Sequence, residues 1–334
     1  PSGRITAYHR DDTRVDGFTH TNLEGPGGSG NGYSEVLVMP GVGPLDTSDF
    51  SSAFSHGDEE AEPGYYRVVL SDPGVEAELT ATSHAGFHRY TFPASDDAWI
   101  VFDLANSLGR STGGSIEIQG DRVVEGVGRY EVHPIVALAI GPATPTAQAK
   151  VYFHAEIDRP MTGRGTYGPD HMDEGSREAE GKDIGAYARL DTTSGQVVLV
   201  KVGISMVSVD QAKLNMEAEI GEATFDEVKA RAREEWNNKL GRVEADADEP
   251  MITMFYTALY HSMFQPADHA EAGGCHVEAA SGLARVRSTG GRPWYTDDWC
   301  MWDTYRTLHP LGTLVEPEIR ADVVRSMVDT YVDG

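Results

Sequence analysis

The feature that most restricts the fold is a change of hydrophobic period at Ser208. Upstream of it, apolar residues come in short runs or alternate with polar ones, the pattern of strands whose side chains point to opposite faces in turn. Downstream they recur every three or four residues, the spacing of a helical stripe. Many short strands with no helix between them fold as antiparallel sheets packed face to face, because parallel pairing would need a crossover helix. The helical part must then form layers of its own.

Residues 35–40, 65–70 and 75–82 have strand length, and Val75, Ala77, Leu79 and Ala81 share one face. A turn at 83–86 reverses the chain and places His88, Tyr90 and Phe92 on one face and Phe87, Arg89 and Thr91 on the other, so 75–93 predicts a hairpin. Further strands are predicted at 99–105, 115–119, 122–127, 132–140, 150–157, 185–190 and 196–206. The glycines and mixed charges of 159–183 predict a solvated loop. Beyond the change of period, Ser208 with Gln211 and Thr224 with Glu227 have capping-box spacing and head predicted helices at 209–220 and 225–240. Each has one apolar stripe and reads as part of a linker. A third helix starts near Asp248 and Pro250, with Met251, Phe255, Leu259 and Met263 in one line and Ile252, Tyr256 and Tyr260 on other faces, which predicts burial among other helices. Helices at 299–315 and 319–332 follow, the second with Ile319, Val323, Met327 and Tyr331 in register. The domain expectation is a β-sandwich over 1–207, a helical linker over 208–247, and the first helices of a truncated helical domain over 248–334.

Charge narrows the function classes. The 334 residues hold 53 Asp and Glu against 27 Lys and Arg, a formal net charge of -26. Such a surface repels phosphate backbones and anionic lipid, so no nucleic acid or membrane partner is expected, and an uncharged, sugar-like substrate suits it better. No stretch approaches the roughly 20 apolar residues of a membrane span. Pro1 opens into polar, Gly-rich sequence without the charged and apolar regions of a signal peptide, so a signal peptide is expected to be missing from this chain. Cys275 and Cys300 allow one bridge without requiring it.

Carboxylates dominate the candidates for chemistry, and most must be solvated surface. Asp303 stands out in Trp302-Asp303-Thr304-Tyr305-Arg306, where an aromatic beside a fixed carboxylate can stack on a sugar and accept from its hydroxyls. The same pattern reads equally as a structural Asp303–Arg306 pair one helical turn apart, and His309 reads equally as a core histidine. Ahead of them, Asp297 and Trp299 are open to a pocket role, whereas Asp298 is explained as an N-cap. His56 and Glu59 lie in a dense acidic loop beside aromatics, where a solvated turn is the plainer reading. His20 precedes the glycines of 25–32, which lack the Gly-Lys-Ser/Thr ending of a phosphate loop. No Gly-x-Ser-x-Gly elbow and no His-Glu-x-x-His zinc motif occurs.

These stretches resemble glycoside hydrolase family 92, the calcium-dependent exo-acting α-mannosidases. The resemblance rests on GFTHTNLEGPG from Gly17, EVLVMP from Glu35, FSHGDEEAEPGYYRVVL from Phe54 and VEAELTATSHAGFHRYTFP from Val75. It continues in KVGISMVSVDQAKLNMEAEI from Lys201, FYTALYHSMFQP from Phe255 and WDTYRTLHPL from Trp302. It implies a β-sandwich, a helical linker and the start of an (α/α)6 barrel, with inverting hydrolysis of terminal α-mannose and a calcium ion at the sugar. It implies that Trp302, Asp303 and Arg306 belong to the terminal-mannose pocket, and it extends that role to His56, Glu59 and His20; Trp299 and Asp297 are kept as neighbouring candidates. General acid, general base and calcium ligands are expected downstream of Gly334, so this chain resembles a piece of a longer, secreted or extracytoplasmic bacterial enzyme. The leaving group stays open among α-1,2, α-1,3, α-1,4 and α-1,6 mannosides and mannose-1-phospho-6-mannose caps. A non-catalytic carbohydrate-binding module and a glycoside phosphorylase of similar architecture are the alternatives.

Overall fold

The computed structural model describes residues 9–21, 34–107, 110–131, 148–278, 285–296 and 304–333. The chain divides into two compact units, one running mainly to Lys229 and the other from Ala230 onward.

The first unit is an antiparallel β-sandwich. Its larger sheet has nine strands. These are β4 (Glu59–Glu62), β5 (Tyr65–Leu70), β6 (Val75–Ala81), β7 (Ala85–Thr91), β9 (Arg110–Gln119), β10 (Val123–Glu131), β11 (Gln148–Ile157), β14 (Glu178–Gly181) and β16 (Val197–Ser205), in the spatial order β14-β9-β10-β11-β16-β7-β6-β5-β4. Its smaller sheet orders five strands as β13 (His171–Glu174), β12 (Gly163–Gly168), β15 (Gly185–Leu190), β8 (Ala98–Asp103) and β2 (Leu37–Val42). A short pair, β1 (Arg14–Val15) with β3 (Ser52–Ala53), stands apart. The predicted hairpin is present as β6 and β7 in the register Ala77↔Tyr90 and Leu79↔His88. Tyr90 and Phe92 enter the inter-sheet core with Val68, Ile100, Phe102 and Phe153, all at most 1% exposed.

The stretch 159–183 is not the solvated loop that its composition predicts. It contains β12, β13 and β14 and passes from one sheet to the other. Glycine misleads here because it marks close approach rather than a turn. A Cβ on Gly165 would lie 2.4 Å from the Tyr187 hydroxyl oxygen, so only a bare backbone fits beneath that ring. The acidic stretch after Ser55 likewise contains structure, a 3-10 turn (His56–Asp58) capped by Ser55 and then the edge strand β4. The predicted strand over 132–140 lies outside the described residues.

The outer face of the nine-stranded sheet is covered by helix. α1 (Val209–Glu219) starts where the Ser208 hydroxyl accepts from the Gln211 N–H at 3.1 Å. α2 (Phe225–Leu240) starts with a reciprocal box, since Glu227 accepts from the Thr224 N–H at 2.8 Å while Thr224 accepts from the Glu227 N–H at 3.3 Å. Met216, Ile220, Phe225 and Val228 form a second apolar cluster with Tyr65, Ala85 and Phe87 of the sheet. Arg89 reinforces it, donating to Glu78 across the strand pair and to Asp226 of α2 at 2.9 Å while lying 4.3 Å over the Phe225 ring.

The second unit contains α3 (Glu249–Ser262), α4 (Leu308–Val315), α5 (Pro317–Asp333) and two short strand pairs. One pair is β17 (Ala267–Asp268) with β20 (Tyr295–Thr296), and the other is β18 (Cys275–Glu278) with β19 (Arg285–Ser288). Trp236 packs edge-on to Tyr260, and Arg242 donates to Glu318 at 2.5 Å and to the Val315 carbonyl at 3.1 Å. Among the described residues α3 is little covered: Leu259 alone of its residues is buried, and Met251 and Met254 are 51% and 58% exposed. Tyr331, predicted on the apolar line of α5, is 87% exposed. The helix predicted over 299–315 is interrupted, with a turn over 305–307 before α4 begins at Leu308. Pro310 explains the restart: it lacks an N–H and clashes with the carbonyl four residues earlier, so it is tolerated in the first turn of α4 and not inside a longer helix.

Candidate functional site

The most constrained polar cluster lies at the start of β2. Phe18 and Val38 exchange backbone hydrogen bonds at 2.9 and 2.8 Å, and the His20 N–H then reaches the Glu35 carbonyl at 3.0 Å. Phe18 and His20 are two residues apart, whereas Glu35 and Val38 are three apart. The additional residue is accommodated as a bulge, with φ of 63° at Ser34 and 55° at Val36. For a β-branched residue that conformation costs on the order of 1–3 kcal/mol and persists only where the surroundings impose it.

His20 supplies the restraint. Its Nδ1 lies 2.7 Å from the Val36 carbonyl oxygen, its Nε2 lies 3.0 Å from His88 Nε2, and His88 Nδ1 lies 2.5 Å from the Tyr90 hydroxyl. A carbonyl only accepts, so Nδ1 of His20 carries a proton. Burial holds His20 down to about 4 and holds His88 well below the ordinary histidine range, so both rings are neutral at neutral pH. The tautomers follow in sequence: His20 Nε2 accepts, His88 Nε2 donates, His88 Nδ1 accepts and Tyr90 donates. The two imidazoles stack at 5.0 Å with 5° between their planes. Gly86 makes room for them, since a Cβ there would lie 2.9 Å from His20 Cδ2. Both ring nitrogens of His20 are thus engaged within the protein.

Buried acids surround this bulge. Glu35, 4% exposed, accepts from the Thr21 hydroxyl, and its own N–H donates to the same oxygen at 2.9 Å. Asp103, 2% exposed and opposite Leu37 in register, accepts from the Tyr167 hydroxyl at 2.6 Å and from the N–H groups of Ala105 and Asn106. Burial raises its pKa. Among the described residues the buried Ser34 hydroxyl has no hydrogen-bond partner.

His56 and Glu59 come together at the sheet edge. His56 Nδ1 lies 2.7 Å from one Glu59 oxygen, and the Tyr66 hydroxyl donates to the other at 2.6 Å. The carboxylate hydrogen bond raises the His56 pKa. Register joins this group to the histidine pair: the rows Glu59–Val68–Ala77–Tyr90 and Ala61–Tyr66–Leu79–His88 run side by side across four strands. Three interstrand spacings, about 14 Å, separate the ends of each row on the same inward face.

Of the remaining candidates, Arg306 is exposed in the turn before α4, its Nε 2.5 Å from the Tyr305 hydroxyl. Asp297, Trp299, Trp302 and Asp303 lie outside the described residues, as do Asp298 and Cys300. His309 is half-buried, 2.9 Å from the Thr304 hydroxyl, and burial with the nearby Arg320 charge lowers its pKa. His88, Tyr90 and Glu35 join this cluster without having stood out in the sequence. The signal for the first two was there, in two polar groups on the apolar face of a hairpin; for Glu35 nothing in the pattern announces a bulge.

A calcium ion takes about six to eight oxygen ligands. Among the described residues no group of three or more His, Cys, Asp and Glu side chains converges to hold a metal ion. The described side chains therefore do not by themselves assemble a calcium site. Among the described residues no helix is long and apolar enough to cross a membrane.

Comparison with known proteins accounts for both halves of the chain. The glycosyl hydrolase family 92 N-terminal domain matches residues 2–205 and the glycosyl hydrolase family 92 catalytic domain matches residues 211–334. The family GH92 α-mannosidase BT3965 from Bacteroides thetaiotaomicron is 30% identical with a TM-score of 0.88, covering 99% of this chain and 44% of that one. The family GH92 inverting mannosidase BT2199 from Bacteroides thetaiotaomicron VPI-5482 is 29% identical with a TM-score of 0.83, covering 97% of this chain and 42% of that one. An uncharacterized secreted glycosidase of Arthroderma benhamiae is 24% identical over 332 residues, 88% of this chain and 39% of its own length. The chain thus spans less than half the length of these relatives. Its antiparallel sandwich, the helices that follow and the two successive domain matches agree: the chain belongs to glycosyl hydrolase family 92.

Proposed function

We propose that the full-length protein is an exo-acting, inverting α-mannosidase that removes terminal α-mannose from mannose-capped glycans outside the cytoplasm. The observation that carries this reading is the pair of family 92 domain matches covering nearly the whole chain, joined by structural likeness to relatives described as an α-mannosidase and an inverting mannosidase. BT3965 has also been solved with mannoimidazole bound. Trp302, Asp303, Arg306, Asp297 and Trp299, and separately His56, Glu59 and His20 of the sandwich, are proposed to serve recognition of the terminal mannose. Inversion needs one carboxylic acid and one carboxylate about 6.5–9.5 Å apart, with a water between the base and the sugar. These two groups are proposed to lie in the part of the relatives' length that this chain does not span. The glycosidic bond is proposed to be of α-1,2 type or to end in a mannose-1-phospho-6-mannose cap, and a phosphate leaving group would depart without protonation.

The test is proton NMR of the full-length protein with a panel of α-mannobioses and mannose-1-phospho-6-mannose. Release of β-mannose from one substrate is the expected result and identifies its leaving group. Calcium belongs to the same proposal, and chelation is expected to abolish release; unchanged turnover with chelator present would remove the ion from it. No release, with mannose still bound, would favour the binding-module reading, and turnover only with inorganic phosphate would favour a phosphorylase. Asp303→Asn should lower kcat/KM about 100-fold, the loss of a charge-assisted hydrogen bond of roughly 1.5–3 kcal/mol, with an unchanged Tm. Wild-type turnover by that variant would return Asp303 to a structural role.

A further inference from the structure

We propose that Tyr90 and His88 are positioning residues for the sugar site, acting through His20 to hold the bulge at Ser34–Val36 in the conformation that binds terminal mannose. This rests on the mannosidase reading above. Four observations converge on it. The bulge places two non-glycine residues at positive φ, including a β-branched valine, and such strain is kept where function requires it. The Val36 carbonyl is held by an imidazole whose other nitrogen is held by a second imidazole, itself held by a phenol. Gly86 in β7 leaves the space that the first imidazole occupies. The Ser34 hydroxyl, 4% exposed, has no hydrogen-bond partner among the described residues, so the bulge carries polar capacity that those residues do not use.

The relay has a direction. Each donor meets one acceptor from Tyr90 to Val36, and no ring nitrogen of the pair is left over. His20 is therefore a support for the backbone that it grips, and a hydrogen bond from its ring to a sugar would require letting go of Val36 or His88. Tyr90 and His88 lie in the wall of the inter-sheet core, which fixes the distant end of the relay.

The experiment compares variants of the full-length enzyme. Nitrogen-15 NMR of the wild type should show His20 protonated at Nδ1 and His88 protonated at Nε2, whatever the substrate proves to be. His20→Ala, His88→Leu and Tyr90→Phe should each raise KM for the mannoside about 10-fold or more, with kcat changed much less, and should weaken mannoimidazole binding in parallel. His20→Asn, whose amide nitrogen can occupy the place of Nδ1 and donate to Val36, should recover most of the lost affinity. His20→Gln, whose amide reaches the place of Nε2, should not. A fall in Tm with KM unchanged in all of them would overturn the proposal and leave the relay a purely structural device. Reversed tautomers in the wild type would overturn it as well. A wild type that neither cleaves nor binds mannosides overturns the mannosidase reading itself and takes this role down with it, whereas an active wild type with unaffected variants overturns the relay alone.

Discussion

Replacing Gly203 by alanine should destabilise the sandwich by about 3 kcal/mol, the upper range for forcing atoms into a packed site. Gly203 is in β16, beneath α1. A Cβ there would lie 2.1 Å from the Ala212 carbonyl oxygen and 2.8 Å from Met216 Cβ. Neither neighbour is the tip of a flexible side chain, so the helix itself must move outward. That movement stretches the bond from the buried Asn215 Nδ2 to the Ile204 carbonyl, 2.8 Å long, and withdraws Met216 and Ile220 from Phe87 and Tyr65. Gly163→Ala is the control, because its Cβ would meet only the Arg189 side chain, at 3.3 Å. Its effect should stay within about 1 kcal/mol. Urea unfolding followed by tryptophan fluorescence, to which Trp99 of the sandwich core contributes, and by the loss of strand circular dichroism measures both. Equal midpoints for the two variants would show that α1 does not depend on close contact at Gly203.

Gly203 also shows where sequence reasoning loses information. The alternation of 196–206 gives the strand, and the stripe of 209–220 gives the helix, yet nothing in either says that the helix lies against this glycine. Local signals were legible wherever they act within a few residues: the Ser208 and Thr224 caps, the hairpin at 75–93 and the faces of β7. What failed was anything set by partners distant in sequence. Gly165 reads as a turn former until Tyr187 lies over it. The line of Met251, Phe255, Leu259 and Met263, with Ile252, Tyr256 and Tyr260 on other faces, reads as buried because hydrophobicity reports what a face requires and not what covers it, and among the described residues little does. Pro310 is the opposite case, a local signal visible in the sequence that a strong apolar pattern over 299–315 overrode.

The site shows the same division. His56 and Glu59 stand three residues apart in one loop, and the structure pairs them at 2.7 Å. His20 stands out in the sequence only by resemblance, and its partners are 16 residues away at Val36 and 68 away at His88, contacts that only the sheet register brings together. Charge could not single out Glu35 or Asp103 among 53 acidic residues. Burial narrows the described acids to Glu35, Glu78, Asp103, Glu271 and Glu316, and of these Glu35 and Asp103 lie at the bulge, each with the donors that a carboxylate removed from water needs.

Acidification should weaken the sandwich before its carboxylates titrate. His20 has an ordinary value of 6.5 and is held down to about 4 in the folded protein, and His88 is displaced in the same direction. Between those values the unfolded chain takes up protons that the folded protein refuses, so stability falls as pH drops from 6.5 towards 4 and the loss levels off below it. For His20 the loss is on the order of 3 kcal/mol, at about 1.4 kcal/mol per unit. The other shifted groups of this unit act elsewhere. His56 and His154, raised by their carboxylate partners, stabilise below 6.5 and lose that contribution only as pH rises above it. Glu78, Glu156 and Glu219, all lowered, stabilise above 4.5 and lose that contribution only below it. Asp103, raised by burial, opposes the trend, since its folded form takes up a proton first. A declining urea midpoint between pH 6.5 and 4.5 is therefore the signature of the histidine pair. It should flatten in the double variant His20→Asn with His88→Leu, which has nothing at either position to titrate. An equal decline in that variant would assign the acid sensitivity to other groups and leave the pair neutral for reasons unrelated to stability.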